Sequence, residues 1–218
     1  MDKRLTIFAG HYGSGKTNLA VNYALHLKTK GYPVKIADLD IVNPYFRTKD
    51  SEKELKEADI QLISPAYANS NVDLPALPQE LYSLVQRRDF HAVLDVGGDD
   101  RGAYALGRYT PYILEENDYR MVYVANFYRP LTKTPEEALE VMGEIEAACG
   151  IKFNCIVNNS NLGNDTVAED VAATYKKALA LAEISGLPLW FTSAEQTIAT
   201  PEQFPLKLQE KYYDIKER

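Results

Sequence analysis

Three glycines and a lysine lie close together near the amino terminus, in the stretch GHYGSGKTN that spans residues 10–18. Glycines allow a loop to curl with its backbone N–H groups pointing inward, and such a concave surface binds anions. Directly after the last glycine come Lys16, which can place its charge on phosphate oxygens, and Thr17, whose hydroxyl is a ligand for Mg²⁺. The spacing is that of the phosphate-binding motif G-x-x-x-x-G-K-[ST]. The residues expected to bind a nucleoside triphosphate are Gly10, His11, Tyr12, Gly13, Ser14, Gly15, Lys16, Thr17 and Asn18.

Acidic residues end two apolar segments further along the chain. Asp38 and Asp40 end the segment PVKIADLD, and because side chains alternate along an extended chain, both carboxylates lie on one side of it. One of the two can hold a Mg²⁺-bound water, and the other can position an attacking water. Asp95 in HAVLDV matches the Walker B pattern, in which a carboxylate holds Mg²⁺ through water. The next pair, Gly97 and Gly98, gives a backbone that can approach a γ-phosphate and retreat after hydrolysis.

Two asparagines, Asn158 and Asn159, follow the apolar segment FNCIV. An amide presents a donor and an acceptor together, which matches the N6 and N7 edge of adenine. A guanine site is expected to use an N-K-x-D string, whose Asp accepts from the N1 and N2 donors of the base, whereas residues 158–161 read NNSN. The pattern favours ATP over GTP, and we expect both asparagines to contribute to nucleotide binding.

These residues are distributed over alternating strand-like and helix-like segments. Apolar runs rich in β-formers predict strands at 5–9, 33–38, 60–64, 91–96, 120–127, 153–159 and 187–193. Helical patterns lie between them, at 16–30, 51–58, 73–86, 102–116, 134–149 and 166–184. The alternation indicates βαβ units, so we predict an α/β fold with a three-layer, doubly wound and mostly parallel sheet in a single domain, residues 1–218. In such sheets, ligands bind beyond the carboxyl ends of the strands.

Composition and charge limit the classes of function. The formal net charge of −7 argues against nonspecific binding to nucleic acid, because such binding requires a basic surface. No apolar run approaches the roughly 18 residues of a membrane span, and the mixed charges of the tail FPLKLQEKYYDIKER favour packing on the protein over membrane anchoring. Cys149 and Cys155 lack zinc-type spacing and no export signal is visible, so we expect reduced thiols and a cytoplasmic protein.

The motifs GHYGSGKT, DLD, LDVGG and VNN occur in an order that resembles the MinD/ParA-like P-loop ATPases. This broad group also contains nitrogenase iron proteins and cobyrinate-amidase-type enzymes. The resemblance covers the chain as far as Asn159 and implies that Asn159 reads adenine. It implies that Asp40 orients the hydrolytic water, which makes Lys16 and Asp40 the expected catalytic residues. The expected Mg²⁺ ligands are Thr17, Asp38 and Asp95. An ATP-dependent homodimer, whose faces meet near the phosphates, is also implied.

The chain departs from the group at the residue after the first glycine. The hallmark there is a lysine that reaches across the dimer to the partner's nucleotide, whereas this chain has His11. A neutral or partly charged imidazole is a weaker partner for phosphate than a permanent cation. The cross-dimer lysine function is therefore either absent or taken over by Arg47, Arg101 or Arg129.

Two main classes of function fit these features, and a binding module without turnover is a third alternative. The first is a Mg²⁺-dependent, slow ATPase that acts as a nucleotide switch on a protein partner. The second is a small-molecule carboxylate ligase or kinase similar to dethiobiotin synthetases, which share the sheet and the P-loop. In that case the substrate pocket would be formed by NPYFR, YANSNVDLPALP and NFYRP, with Arg47 and Arg129 binding an anion.

Overall fold

Eight strands in the described part of the chain form a single sheet. The computed structural model describes residues 2–39, 51–64, 80–98 and 100–208, without the side chains of residues 100 and 101. The strands are β1 (Leu5–Ala9), β2 (Val34–Leu39), β3 (Gln61–Ile63), β4 (His91–Val96), β5 (Tyr119–Ala125), β6 (Cys155–Asn158), β7 (Leu189–Glu195) and β8 (Phe204–Leu206). Their order across the sheet is β3-β2-β4-β1-β5-β6-β7-β8, and every observed pairing is parallel. The predicted α/β fold with a parallel sheet is confirmed.

Helices cover both faces of this sheet. They are α1 (Lys16–Thr29), α2 (Glu52–Glu57), α3 (Glu80–Gln86), α4 (Asp100–Gly107), α5 (Thr110–Glu116), α6 (Pro135–Cys149) and α7 (Ala168–Ser185). One hydrophobic cluster packs α1 and α2 against one face of the sheet. A second cluster packs the five helices α3, α4, α5, α6 and α7 against the opposite face. Strands with helices on both sides are buried on both faces, which explains their nearly continuous apolar sequences.

The sheet order places the chemically important loops next to one another. The strands β4, β1 and β5 are neighbours at the centre of the sheet and run in the same direction. Their carboxyl ends therefore lie side by side, as do the loops that follow them. The segment between β1 and α1, which contains the glycines, lies in the middle of this edge.

Local sequence signals explain the ends of several helices. α6 begins with a capping box, in which the Thr134 hydroxyl accepts from the backbone N–H of Glu137 and the Glu137 carboxylate accepts from the N–H of Thr134. After α1, Gly31 takes a left-handed conformation with φ +86, as expected for the residue that ends a helix.

One predicted helix, at 102–116, is wrong, because the chain forms α4 and α5 there instead. Pro111 lies in the first turn of α5. Proline has no N–H to donate, and its ring collides with the carbonyl four residues earlier, which here belongs to Gly107. A continuous helix would require that contact, so the chain breaks between Gly107 and Thr110.

The carboxyl-terminal tail begins with a strand that was not predicted. Phe204–Leu206 form the edge strand β8, which pairs with β7, and Pro205 is tolerated there because an edge strand leaves one side unpaired. The rest of the tail, residues 209–218, was predicted to pack on the protein and lies outside the described residues. No described helix is long and apolar enough to cross a bilayer.

The two cysteines are free and buried, as predicted. Cys149 belongs to the cluster on one face of the sheet and Cys155 to the cluster on the other, so they are separated by the sheet. Burial raises the pKa of Cys155 to about 12 and also raises the pKa of Cys149. Both thiols are therefore protonated at neutral pH and poorly nucleophilic.

A buried ion pair anchors α5 to the start of β1. The guanidinium of Arg4 contacts the carboxylate of Glu116, and the two side chains are only 8% and 3% exposed. Arg4 also donates from Nη1 to the carbonyl oxygen of Phe90 at 3.5 Å. Removing one member of such a pair leaves the other charge buried without compensation.

We expect Glu116→Ala to lower the free energy of unfolding by about 3 kcal/mol, as measured by urea denaturation. The double substitution Arg4→Met with Glu116→Leu should recover most of that loss, because it removes both charges. Asp89→Ala is the control, since Asp89 pairs with Arg87 on the exposed surface and should have little effect. Equal effects of the two single substitutions would show that the buried pair has no special role.

Candidate nucleotide-binding site

The glycine-rich segment between β1 and α1 forms a tight turn followed by a helix N-terminus. Ser14 N donates to His11 O at 3.1 Å, which closes a four-residue turn. Gly13, the third residue of this turn, has φ +76, as the third residue of a type II turn requires. α1 then begins at Lys16. The predicted strand, turn and helix order of a P-loop is therefore present.

Two glycines of the loop are required by close approach of other groups. Gly15 has φ +82, and a Cβ at this position would lie 2.5 Å from Nδ2 of Asn159. At Gly10 a Cβ would lie 2.5 Å from the carbonyl oxygen of Val124 in β5. No side chain fits at either position without movement of the backbone or of a buried amide.

Side chains from neighbouring loops hold the carbonyl groups of the turn from outside. Asn159 donates from Nδ2 to Ser14 O at 2.7 Å, and Arg129 donates from Nε to Gly13 O at 2.9 Å. Because C=O and N–H point in opposite directions in a trans peptide, fixing the Ser14 carbonyl directs the Gly15 N–H to the other side. The loop therefore forms a cradle in which the N–H of Gly15 faces away from Asn159.

Several polar groups of this cradle have no protein partner. The backbone N–H groups of Gly13, Gly15 and Thr17 donate to no acceptor within the described ranges. The hydroxyl of Ser14 is buried there and also lacks a hydrogen-bond partner. Unpaired donors next to a helix N-terminus, with the side chain of Lys16 buried beside them, are an arrangement suited to binding an anion. A phosphate group would satisfy them.

A network behind the loop makes the holding side chains rigid. Ser193 in β7 donates to Oδ1 of Asn159 at 2.6 Å, which fixes the orientation of that amide. Asn126, directly after β5, donates from Nδ2 to Asn161 O at 3.3 Å and to Gly13 O at 3.5 Å. The sequence reasoning did not single out Asn126 or Ser193. Asn126 directly follows β5, and its place at the carboxyl end of a parallel strand is the sequence signal that marks it as a candidate.

The candidate Mg²⁺ ligands Asp38 and Asp95 face each other on neighbouring strands. Both carboxylates lie within their strands rather than after them, and their Cα atoms are register partners in the β2–β4 ladder. Alternation places them on the face covered by α1, since Ile36 and Val93, two residues earlier, belong to the α1 cluster. Both side chains are buried, at 3% and 0% exposure.

This donor set fits Mg²⁺, which prefers oxygen ligands and binds through carboxylates, hydroxyls and water. Thr17, the third predicted ligand, is in the first turn of α1 and is 5% exposed. When bound, Mg²⁺ would neutralise charge on the β- and γ-phosphates. Asp40, the predicted catalytic carboxylate, lies outside the described residues.

The turn after β4 lies against the glycine-rich loop. A Cβ on Gly98 would be 2.7 Å from both Gly10 O and Tyr12 N, so the two backbones are in direct contact. Behind it, Gly102 in the first turn of α4 packs on Gly97, where an added Cβ would lie 2.5 Å from the Gly97 Cα. The contacts join the loop, the turn and the start of α4 into a continuous path.

The amides of Asn158 and Asn159 are engaged inside the protein. Asn158 is fully buried, donates from Nδ2 to the Thr174 hydroxyl at 3.2 Å and accepts from the Ser160 hydroxyl at 2.7 Å. Asn159 is 3% exposed and is bonded to Ser14 and Ser193. The role of these asparagines in reading adenine stays a prediction.

The other predicted site residues lie around the rim. Nδ1 of His11 is 2.9 Å from Tyr12 O, and the Tyr12 side chain is 52% exposed. Asn18 is in the first turn of α1 and its carbonyl accepts from Nδ2 of Asn22 at 2.8 Å. Of the three arginines considered as replacements for the missing lysine, Arg129 contacts the loop. Arg47 and the side chain of Arg101 lie outside the described residues.

Comparisons with known proteins support the fold. No protein-family model matches the chain, and no curated protein matches it. Solved structures of FtsY are similar to it. FtsY from Mycoplasma mycoides is 16% identical with a TM-score of 0.58, and the match covers 89% of this chain and 62% of that chain. Cell division protein FtsY from Thermotoga maritima is 16% identical with a TM-score of 0.61, and the match covers 88% of this chain and 61% of that chain. Chloroplast FtsY from Physcomitrella patens is 15% identical with a TM-score of 0.61, and the match covers 89% of this chain and 59% of that chain.

These similarities show that the chain shares the α/β P-loop NTPase fold of the FtsY structures. At 15–16% identity they show the fold alone. The chain spans about three fifths of the length of the FtsY chains it matches. Membership of the MinD/ParA-like group stays a prediction.

We expect Asn159→Ala to weaken MgADP binding roughly 5- to 150-fold, because the Ser14 carbonyl loses the donor that orients the cradle, a bond worth about 1–3 kcal/mol. Calorimetric titration with MgADP provides the measurement. Asn154→Ala is the matched control, since Asn154 accepts from Met121 N at 3.0 Å, near the opposite edge of the sheet. Both substitutions should lower stability, but only Asn159→Ala should affect MgADP. Equal affinities would contradict the assigned role of Asn159.

Proposed function

We propose that the protein is a Mg²⁺-dependent ATP-binding protein that hydrolyses ATP slowly and acts as a nucleotide switch on a protein partner. The observation that carries this proposal is the cradle at residues 10–17, with unpaired N–H groups at its centre and carbonyl groups held from outside. Such a surface is complementary to a polyphosphate, and Lys16 adds the positive charge.

Hydrolysis is proposed from the groups around the cradle. Lys16 neutralises charge that builds up on the transferred phosphate, and Asp40 positions the attacking water for in-line attack. Thr17, Asp38 and Asp95 hold Mg²⁺ directly or through water. Because little covalent chemistry is required of the protein in phosphoryl transfer, a site that positions and neutralises charge is sufficient.

A switch function is supported by the contact between Gly98 and the glycine-rich loop. The backbone at Gly98 lies against Gly10 and Tyr12, so a phosphate group that enters the cradle must either fit beside this turn or displace it. Gly97 in turn contacts Gly102 of α4, and a shift of the turn would therefore move the start of that helix. The side chain of Tyr104 on α4 is 64% exposed, so a protein partner could contact this helix and respond to its movement.

The preference for ATP is proposed on the residues that follow β6. Residues 158–161 contain no acidic side chain that could accept from the N1 and N2 donors of guanine. The ATP-dependent homodimer and the identity of the protein client stay predictions.

For the alternative function as a ligase or kinase, two of the three predicted pocket segments lie outside the described residues. Arg129 of the third segment is bonded to the P-loop.

We expect Lys16→Ala to weaken MgATP binding roughly 10- to 100-fold, the value of hydrogen bonds to charged groups, without unfolding the protein. Calorimetry with MgATP measures the loss of affinity. In a separate competition measurement on the wild type, GTP at equal concentration should not displace ATP. Lys28→Ala is the control, because Lys28 lies at the other end of α1 and pairs with the exposed Asp59. Wild-type affinity in a folded Lys16→Ala variant would contradict nucleotide binding at this site.

We expect Gly98→Ala to keep MgADP binding and to slow steady-state phosphate release at least tenfold, because groups aligned on the reacting phosphate each contribute this much or more. The added methyl would meet the backbone of the loop at 2.7 Å, so the turn could no longer pack there. Gly143→Ala is the matched control, since nothing lies within 4 Å of a Cβ at that position in α6. Unchanged phosphate release by Gly98→Ala would exclude the turn from the switch.

A further inference from the structure

Among the arginines in the described ranges, Arg129 contacts the glycine-rich loop with its guanidinium group. It follows β5, and its Nε donates to Gly13 O at 2.9 Å. The guanidinium group lies directly against Gly13, because a Cβ on Gly13 would be 3.3 Å from Nε, 3.5 Å from Cδ and 3.7 Å from Cζ of Arg129. No charge pairs with it in the described ranges, and neither Nη1 nor Nη2 donates to an acceptor there.

The loop that carries Arg129 is rigid and locally strained. Asn126 O accepts from Arg129 N at 3.2 Å and from the Thr132 hydroxyl at 2.7 Å. Leu131 has φ +64, a left-handed conformation that is unfavourable for a residue with a branched side chain, and its side chain is 65% exposed. Such strain persists only when surrounding contacts impose it, and it concentrates at functional sites.

The electrostatics of the cradle leave room for another cation. A polyphosphate carries several negative charges, and the protein itself has a net charge of −7. Within residues 10–18, Lys16 supplies the permanent positive charge, because position 11 is a histidine. A guanidinium group provides both a permanent charge and several N–H donors in fixed directions, which suits phosphate oxygens.

We propose that Arg129 is a positioning residue for the phosphates, supplied by the same chain. Its Nε holds the Gly13 carbonyl, which stabilises the His11–Ser14 turn, and its Nη groups donate to the bound polyphosphate. The proposal rests on the proposed nucleotide-binding function and adds to it the source of the second cation. The partner subunit is then not needed to supply this charge.

The two actions of Arg129 can be separated by substitution. Nε2 of a glutamine is the same number of bonds from Cα as Nε of an arginine, so Arg129→Gln keeps the donor to Gly13 and removes the cation. Arg129→Ala removes both, and Arg129→Lys keeps a charge without the planar group. Arg87→Ala is the control, since Arg87 pairs with Asp89 on the exposed surface before β4.

The first measurement is hydrogen exchange of the nucleotide-free protein, followed by mass spectrometry of peptides that contain residues 10–18. Arg129→Ala should speed exchange of the Ser14 amide, which bonds to His11 O in the turn, at least tenfold. Arg129→Gln and Arg87→Ala should leave it unchanged. Equal exchange in the Ala variant and the wild type would overturn the holding role.

The second measurement is MgATP affinity by calorimetry. Arg129→Gln and Arg129→Ala should weaken binding about tenfold or more, and Arg129→Lys should weaken it less, as expected for a lost charged hydrogen bond. Wild-type affinity in Arg129→Gln would overturn the role of the cation. If the wild type itself bound no MgATP, the proposed function would fail instead, whereas the exchange result would still decide how Arg129 shapes the turn.

Discussion

Asn159 donates a hydrogen bond to the carbonyl oxygen of Ser14, and the geometry of the candidate site follows from that bond. It fixes one peptide plane of the loop, and the N–H of Gly15 must then point to the opposite side. The same amide comes so close to Gly15 that no side chain could be accommodated there. Asn159, 145 positions after Ser14, therefore both orients the peptide between Ser14 and Gly15 and requires a glycine at position 15.

That contact exists because the parallel sheet brings distant strands together. β1, β5, β6 and β7 are consecutive in the sheet, and the loops after β5 and β6 reach the loop after β1 from one side. On the other side β4 and β2 bring Asp95 and Asp38 to the same edge. The site is thus divided into a half that holds the loop from outside and a half whose carboxylates can hold a metal ion.

The two halves have different mechanical properties. On one side, Asn159 donates to Ser14 O at 2.7 Å and is itself held by Ser193 at 2.6 Å, and Asn126 donates to Gly13 O at 3.5 Å, so a connected network supports the loop. On the opposite side, Gly98 meets the loop through backbone contact, and α4 follows within two residues. The proposed nucleotide switch requires the turn at Gly98 to move while the cradle keeps its shape.

The sequence by itself determined the motif residues and the alternation of strands and helices, because both depend on local spacing. The G-x-x-x-x-G-K-T spacing and the capping box at Thr134 are contained in a few adjacent residues. The break between α4 and α5 is also encoded locally, in Gly107 and Pro111, although the helical periodicity continues across it. Only the tertiary structure decided that the amide of Asn159 is bonded to the P-loop and that Arg129 lies over Gly13. These contacts join residues more than 100 positions apart, and their partners depend on strand order, which no local pattern specifies.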